Sequence, residues 1–308
     1  MTNPIFARLG FVALWLCLTV AVSPAAQADE VDAARLAYLD GHHEEALKIL
    51  IPAAEAGNAN AQNIVAIAYE NGNGVTKDVV KAMEWYEKSV AQGFAKAEFN
   101  LGTLLREAPD GIAQDYARAA ALFEAGIAKD YPHAFWERGR MHAQGEGGAV
   151  DLKAAIGLYE RGLALGNGQS GNALAELYRM GNGVEKDEVR AREIYTEAAK
   201  TGYGVAMGNL GYMYESGIGG EQNDLAAYAL YLEAVALGDG NAGVNLADFL
   251  INRPGYWSNN ARAGAYCLWG LDAISPEQLD RVKPVCEAVN GALSEAEREQ
   301  AARIRAEW

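Results

Sequence analysis

A period constrains this chain more than any other feature. Glycines that close helical stretches, Gly57, Gly93, Gly166, Gly202 and Gly238, stand 36 residues or a multiple of 36 apart, with Asp130 in the place of the missing member after one inserted residue. That length suits a pair of helices, and a single pair leaves an apolar face bare, so such units must stack on their neighbours. One small-residue column reads Ala46, Ala82, Ala119, Ala155, Ala191, Ala227 and Ala263. Four residues after each member stands a larger one: Leu50, Tyr86, Phe123, Tyr159, Tyr195, Tyr231 and then Cys267. A second column, Ala66, Gly102, Gly139, Ala175, Gly211 and Ala247, is preceded five positions earlier by Ala61, Ala97, Ala134, Ser170, Ala206 and Ala242. Offsets of three to five residues share one helical face, so each period predicts a helix A and a helix B packed small against large.

The loops keep the same phase. Asn71-Gly72-Asn73-Gly74 returns as Met180-Gly181-Asn182-Gly183, which makes Gly72 and Gly181 left-handed helix ends, and Asp78, Asp115, Asp151 and Asp187 fall where helix B needs an N-cap. The third unit departs, with Ala108-Pro109-Asp110-Gly111 in place of the glycine loop. Residues 274–308 read as helices that cap the end of the stack. There Ser275-Pro276-Glu277-Gln278 predicts a capping box, Pro284 is expected to break or restart that helix, and Ser294-Glu295-Ala296-Glu297 begins a last amphipathic segment.

At the other end, Arg8 is the only charged residue among the first 28, and Leu9 to Val22 is uncharged and mostly apolar. As a helix that stretch rises about 21 Å, short of the roughly 30 Å hydrocarbon core, while Ala26-Gln27-Ala28 fits a signal-peptidase site. The expectation is a signal peptide over residues 1–28, cleaved after Ala28, and a periplasmic or secreted chain with no stable membrane insertion. Cleavage removes Cys17 and leaves Cys267 and Cys286. A disulfide between them is the first reading and two buried free thiols the alternative. Acidic residues outnumber basic ones 41 to 26 and no run of Lys and Arg occurs, which excludes nucleic acid as a partner.

Two segments carry a family resemblance. Ala206-Met207-Gly208-Asn209-Leu210-Gly211-Tyr212-Met213-Tyr214-Glu215-Ser216-Gly217-Ile218-Gly219 and Lys81-Ala82-Met83-Glu84-Trp85-Tyr86-Glu87-Lys88-Ser89-Val90-Ala91-Gln92-Gly93 resemble the two halves of the Sel-one-like repeat, a relative of the tetratricopeptide repeat. The resemblance implies an all-α superhelical solenoid of about six to seven helix pairs over residues 29–273, with helix A on its concave side. Positions that the core pattern leaves over on helix A then line a groove. They are Phe99, Phe135, Trp136, Arg140, Glu176, Met207, Tyr212 and Asp248, with Thr103 and Asn172 beside them. Trp, Tyr, Phe, Met and Arg are enriched at interface cores. A further column, Asn100, Asn209 and Asn245, is expected to brace a neighbouring loop or to hold a peptide backbone.

Catalysis finds less support. Gly166-Asn167-Gly168-Gln169-Ser170-Gly171 and Gly238-Asp239-Gly240-Asn241-Ala242-Gly243 match a dinucleotide fingerprint, but both follow helices rather than strands, so no cofactor is expected. His-Glu-x-x-His is absent and His142 stands alone, so no metal site is expected. The sequence therefore points to a non-enzymatic exported scaffold that holds a protein or peptide in its groove. The resemblance adds roles in envelope assembly, signalling or exopolysaccharide regulation. Two alternatives stay open. One is a weak β-lactam-binding or β-lactam-hydrolysing enzyme, an activity reported for relatives, although this chain has no Ser-x-x-Lys. The other is an envelope polysaccharide-binding module with the groove aromatics as stacking platforms.

Overall fold

A computed structural model describes residues 24–253 and 259–308, and among them every regular element is a helix. The A helices are α1 (Pro24–Leu39), α3 (Ala59–Asn71), α5 (Ala95–Glu107), α7 (Pro132–Gln144), α9 (Gly168–Met180), α11 (Gly204–Ser216) and α13 (Gly240–Asn252). The B helices are α2 (His43–Glu55), α4 (Val79–Val90), α6 (Tyr116–Ile127), α8 (Leu152–Ala164), α10 (Glu188–Lys200), α12 (Asp224–Ala236) and α14 (Asn260–Ala273). Two further helices, α15 (Pro276–Ala292) and α16 (Glu295–Ala306), follow. Each A helix packs on its B helix and each B helix on the next A helix, which builds a superhelical solenoid. Successive A helices also touch, as α5 does α7, α7 does α9, α9 does α11 and α11 does α13, whereas no two B helices do so to that extent. Elements crowded together lie on the inside of a curve, so the A helices line the concave side. Residues 1–23 of the expected export segment lie outside the described residues, and its cleavage point after Ala28 falls within α1.

Small-against-large packing explains the columns. Ala82, Ala119, Ala155, Ala191, Ala227 and Ala263 are fully buried, as are Tyr86, Phe123 and Tyr231. A Cβ added at Gly139 would meet the Tyr159 ring at 2.6 Å, and one at Gly211 the Tyr231 ring at 2.9 Å, so helix A gives up a side chain where the ring of helix B enters. Each buried large side chain contributes roughly 1.5–3 kcal/mol. Tyrosine brings a hydroxyl into that core, and a carboxylate of helix A receives it. Tyr86 donates to Glu70 at 2.6 Å, Tyr195 to Glu176 at 3.0 Å and Tyr231 to Glu215 at 2.8 Å. Burial pushes the Glu70 and Glu215 carboxyls above the usual range, and the tyrosine hydrogen bonds oppose it.

Helix ends follow the loop pattern. Asp78, Asp115, Asp151 and Asp187 each accept a backbone N–H from the first turn of helix B at 2.9–3.0 Å. Gly72 and Gly181 close α3 and α9 at φ 78° and 74°. Ala108 closes α5 in the same left-handed region at φ 49°, and Asp130 adopts φ 52° where its sister repeats have glycine.

The C-terminal helices differ from expectation in two ways. α15 runs unbroken through Pro284, which is exposed, so the carbonyl that loses its partner there can turn to water. Ser275 takes the N-cap position of α15 but makes no side-chain capping bond, whereas Ser294 and Glu297 form a complete capping box on α16. Cys267 of α14 and Cys286 of α15 are joined by a disulfide, with their Cα atoms 5.4 Å apart and both residues buried, so the free-thiol alternative falls. The bridge ties α15 to the last repeat, and α16 packs on α14.

Candidate partner-binding face

Helix periodicity sets Trp136 and Arg140 one turn apart on α7, and the structure brings the guanidinium 5.4 Å from the Trp136 ring. A buried carboxylate beneath them fixes the pair. Glu137 Oε2 accepts from Arg140 Nη2 at 2.8 Å and from Nε at 3.1 Å, and it lies 3.3 Å from Arg106 Nε of α5. Glu137 is 3% exposed and Arg106 8%, so this is an ion pair inside the protein, where Coulomb attraction is poorly screened. Arg106 also reaches Glu146 at 3.6 Å and Glu107 at 2.5 Å. The network holds α5 against α7 and leaves the outer side of Trp136 and Arg140 partly open.

One repeat earlier, the half-buried Phe99 ring lies 5.6 Å from Tyr131 and 5.7 Å from His133, an aromatic group spanning α5 and α7. One repeat later, Glu176 of α9 accepts from Arg179 at 2.6 and 2.8 Å and from Tyr195. Burial acts to raise the Glu176 carboxyl, but the Arg179 and Tyr195 hydrogen bonds and the Arg179 charge outweigh it and hold the group below its ordinary value. Arg281 of α15 acts in the same sense, which puts the capping helix within electrostatic reach of α9. Tyr212 of α11 is 46% exposed, and Asp248 of α13 accepts from Asn252 at 2.9 Å. With Arg106 and Glu137 buried beneath, the partly exposed Arg140 and Arg179 and the carboxylates Glu107 and Glu176 give the surface both signs beside its aromatic rings.

Phe135 and Met207 do not share that surface. They are 0% and 6% exposed and belong to the core, because the position directly after the small A-helix residue turns towards the neighbouring helices. Thr103 turns its hydroxyl back onto the Phe99 carbonyl at 3.1 Å. Two of the three asparagines brace helices rather than loops: Asn100 donates to Asn63 at 2.9 Å, joining α5 to α3, and Asn209 donates to Asn172 at 2.8 Å, joining α11 to α9. The sequence reading missed Arg106, Glu137, Arg179, Tyr131 and His133. Glu137 had left a signal, the only charge in a helix-A column that holds Asn100, Asn209 and Asn245 in three other repeats and the uncharged Ile64 and Ala173 in two more. Among the described residues no group of three or more potential metal ligands gathers, and His142 is held below its usual pKa, first by burial and then by Arg138.

Comparison with known proteins agrees with this architecture. A Sel1 repeat family model matches residues 33–58, 59–94, 95–131, 132–167, 172–203 and 204–239, together more than half of the chain. A Sel1 repeat protein from Oxalobacter formigenes superposes with a TM-score of 0.71 at 27% identity, covering 79% of this chain and 100% of that one. The protein c5321, a protective antigen of uropathogenic Escherichia coli strains with an SLR fold, does so with a TM-score of 0.62 at 29% identity, over 85% of this chain and 56% of its own. The ERAD-associated E3 ubiquitin-protein ligase component HRD3A of Arabidopsis thaliana is 33% identical over 88 residues, 29% of this chain and 13% of that protein, so only a small part of this curated relative's length is spanned. Six consecutive matches in the phase of the helix pairs place the chain in the Sel1 repeat family.

Proposed function

We propose that this protein is a non-enzymatic, exported scaffold that holds a protein or peptide partner on its concave side, across α5, α7, α9 and α11. The observation that supports this reading is the Trp136–Arg140 pair, seated on a buried Glu137–Arg106 ion pair and flanked by Phe99 and the exposed Tyr212. Aromatic and arginine anchors that are already ordered lose little freedom on binding, and side chains of that kind dominate interface energetics. Paired charges of both signs suit a mixed polar polypeptide better than a highly charged ligand. Export rests on the apolar segment before Ala28 and agrees with the disulfide, which persists in oxidising compartments.

Affinity capture from native envelope extract tests the reading, with the parent protein beside a Trp136→Ala/Arg140→Ala variant of verified helicity. The expected result is a discrete protein retained by the parent and lost by the variant. Equal capture by both moves the site off α7, and an absence of any retained protein removes the scaffold reading.

A further inference from the structure

The convex side holds a second candidate site, independent of the concave reading. Between α12, α14 and α16 opens a cavity of about 730 Å³, within the size range of small-molecule sites. Its walls break the repeat's own pattern. Two repeats earlier the equivalent cleft between α8 and α10 measures about 310 Å³ and is lined by Glu160, Arg190, Ile194 and Glu197. At the matching positions here stand Leu232, Arg262, Tyr266 and Trp269. Two surface glutamates and an isoleucine have thus become a leucine and two aromatics, while the arginine stays. Trp308, two residues beyond the end of α16, adds a third ring beside them.

The geometry of those rings limits what they can take. Tyr266 and Trp308 lie 4.8 Å apart at 36°, against one another, so no gap remains between them for a caged cation. Trp308 is 53% exposed, which leaves part of its surface open to a ligand. The polar side chains are Arg262, Gln300, Glu307 and Asn259; Asn259 accepts the Arg262 backbone N–H at 2.9 Å, while among the described residues no side-chain hydrogen bond or salt bridge engages the other three. Their charges are of opposite sign, which disfavours a strongly anionic or cationic ligand, and the net charge of −15 disfavours nucleic acid. A flat apolar platform edged by free guanidinium, amide and carboxylate groups matches a ring with one hydrocarbon face and hydroxyls round its rim. Gluco-configured sugars have that form, because equatorial hydroxyls leave the axial C–H bonds on the ring face. We propose that this cavity binds a neutral, gluco-configured oligosaccharide, stacked on Trp308 and hydrogen-bonded by Arg262, Gln300 and Glu307.

Calorimetry and tryptophan fluorescence on the full chain test it, with cellotetraose and chitotetraose as probes. Saturable binding of either sugar is expected with a Kd on the order of 1 mM or tighter, weakened about tenfold or more in Trp308→Ala and in Arg262→Ala. Both residues are exposed, so these variants keep the fold, which circular dichroism verifies. Trp136→Ala, on the concave side, leaves sugar binding unchanged and thereby separates this site from the scaffold groove. No saturable binding of either sugar up to about 10 mM overturns the assignment. So does binding that survives both cavity variants, or that disappears with Trp136→Ala instead.

Discussion

Ala108 and Gly181 hold the same place in two repeats and make opposite predictions. Ala108 ends α5 at φ 49° and ψ 58°, its N–H still bonded to the Leu104 carbonyl, whereas Gly181 ends α9 at φ 74° with the same bond to Leu177. A left-handed conformation costs an alanine about 1–2 kcal/mol, because its Cβ crowds the following carbonyl. Pro109 adds to this by disfavouring helical backbone in the residue before it. Ala108→Gly removes that strain but gives the unfolded chain more freedom, which takes back about 0.5–1 kcal/mol. A net gain of about 0.5–1 kcal/mol remains. Gly181→Ala loses the same amount and adds a contact, since the new Cβ would stand 3.0 Å from Lys186 Cβ, so its cost is about 1–2 kcal/mol. A solenoid opens in parts, and a whole-molecule melting point would dilute these effects. Hydrogen exchange reads them locally, at the Asp115 amide bonded to the Leu105 carbonyl and the Asp187 amide bonded to the Tyr178 carbonyl. The first should become about twofold to fivefold better protected in Ala108→Gly, and the second should lose more than that in Gly181→Ala. Lower protection at Asp115, or a neutral Gly181→Ala, would refute the view that backbone handedness governs these loops.

Tyr231→Phe should destabilise the protein by about 1–2 kcal/mol at neutral pH, because it strips a hydrogen bond from the half-buried Glu215 carboxylate. Burial already raises the Glu215 pKa, so its favourable share in stability is present below the ordinary carboxylate value and is lost as pH rises through the folded value. The variant's deficit in urea unfolding should therefore shrink towards pH 4, and a deficit independent of pH would count against the pairing. Reducing the Cys267–Cys286 bridge, or replacing both cysteines by alanine, should cost the C-terminal helices about 3 kcal/mol, from a closed loop of about 20 residues. Exchange at α15 and α16 amides would show it, with α3 to α9 unaffected. Asn209→Ala should cost about 1 kcal/mol and loosen α11 against α9, and exchange unchanged at both helices would contradict the inter-helix brace. N-terminal sequencing of protein recovered from the envelope should begin at Asp29; a chain still carrying residues 1–28 would remove the export reading.

Most of the fold was legible because repetition turns one sequence into several copies of one observation. A single glycine five residues before a helix end says little, but Gly102, Gly139 and Gly211 in one column, each facing an aromatic of the next helix, say that a ring enters there. The same redundancy made Asp78, Asp115, Asp151 and Asp187 readable as caps. Where the repetition stops, less was legible: the Cys267–Cys286 bridge and the helix that begins after Ser294 were expected, but the course of α15 was not. α15 has no sister helix, and Ser275 and Pro284 had to be judged by local rules alone. Those rules state preferences that tertiary packing can override, and here the buried Val282, Cys286 and Val289 hold a continuous helix against the last repeat through a residue that would weaken it alone.

The candidate surface was harder to read for the opposite reason. Its residues are those that vary between repeats, so no column averages out error, and an offset of one residue decides whether a ring faces a partner or the core. Phe135 and Trp136 are adjacent in sequence, yet Phe135 is wholly buried and Trp136 is not. The Glu137–Arg106 pair that steadies Trp136 and Arg140 joins two repeats, and a periodic alignment, which compares equivalent positions, is blind to contacts between inequivalent ones. The convex cavity shows how such sites can still be found. Once the structure aligns its cleft with the one two repeats earlier, Leu232, Tyr266 and Trp269 stand out against Glu160, Ile194 and Glu197. Two of these departures replace exposed glutamates and one replaces the buried Ile194, so function can be written here while the small-residue columns Ala227 and Ala263 stay buried as in their sister repeats.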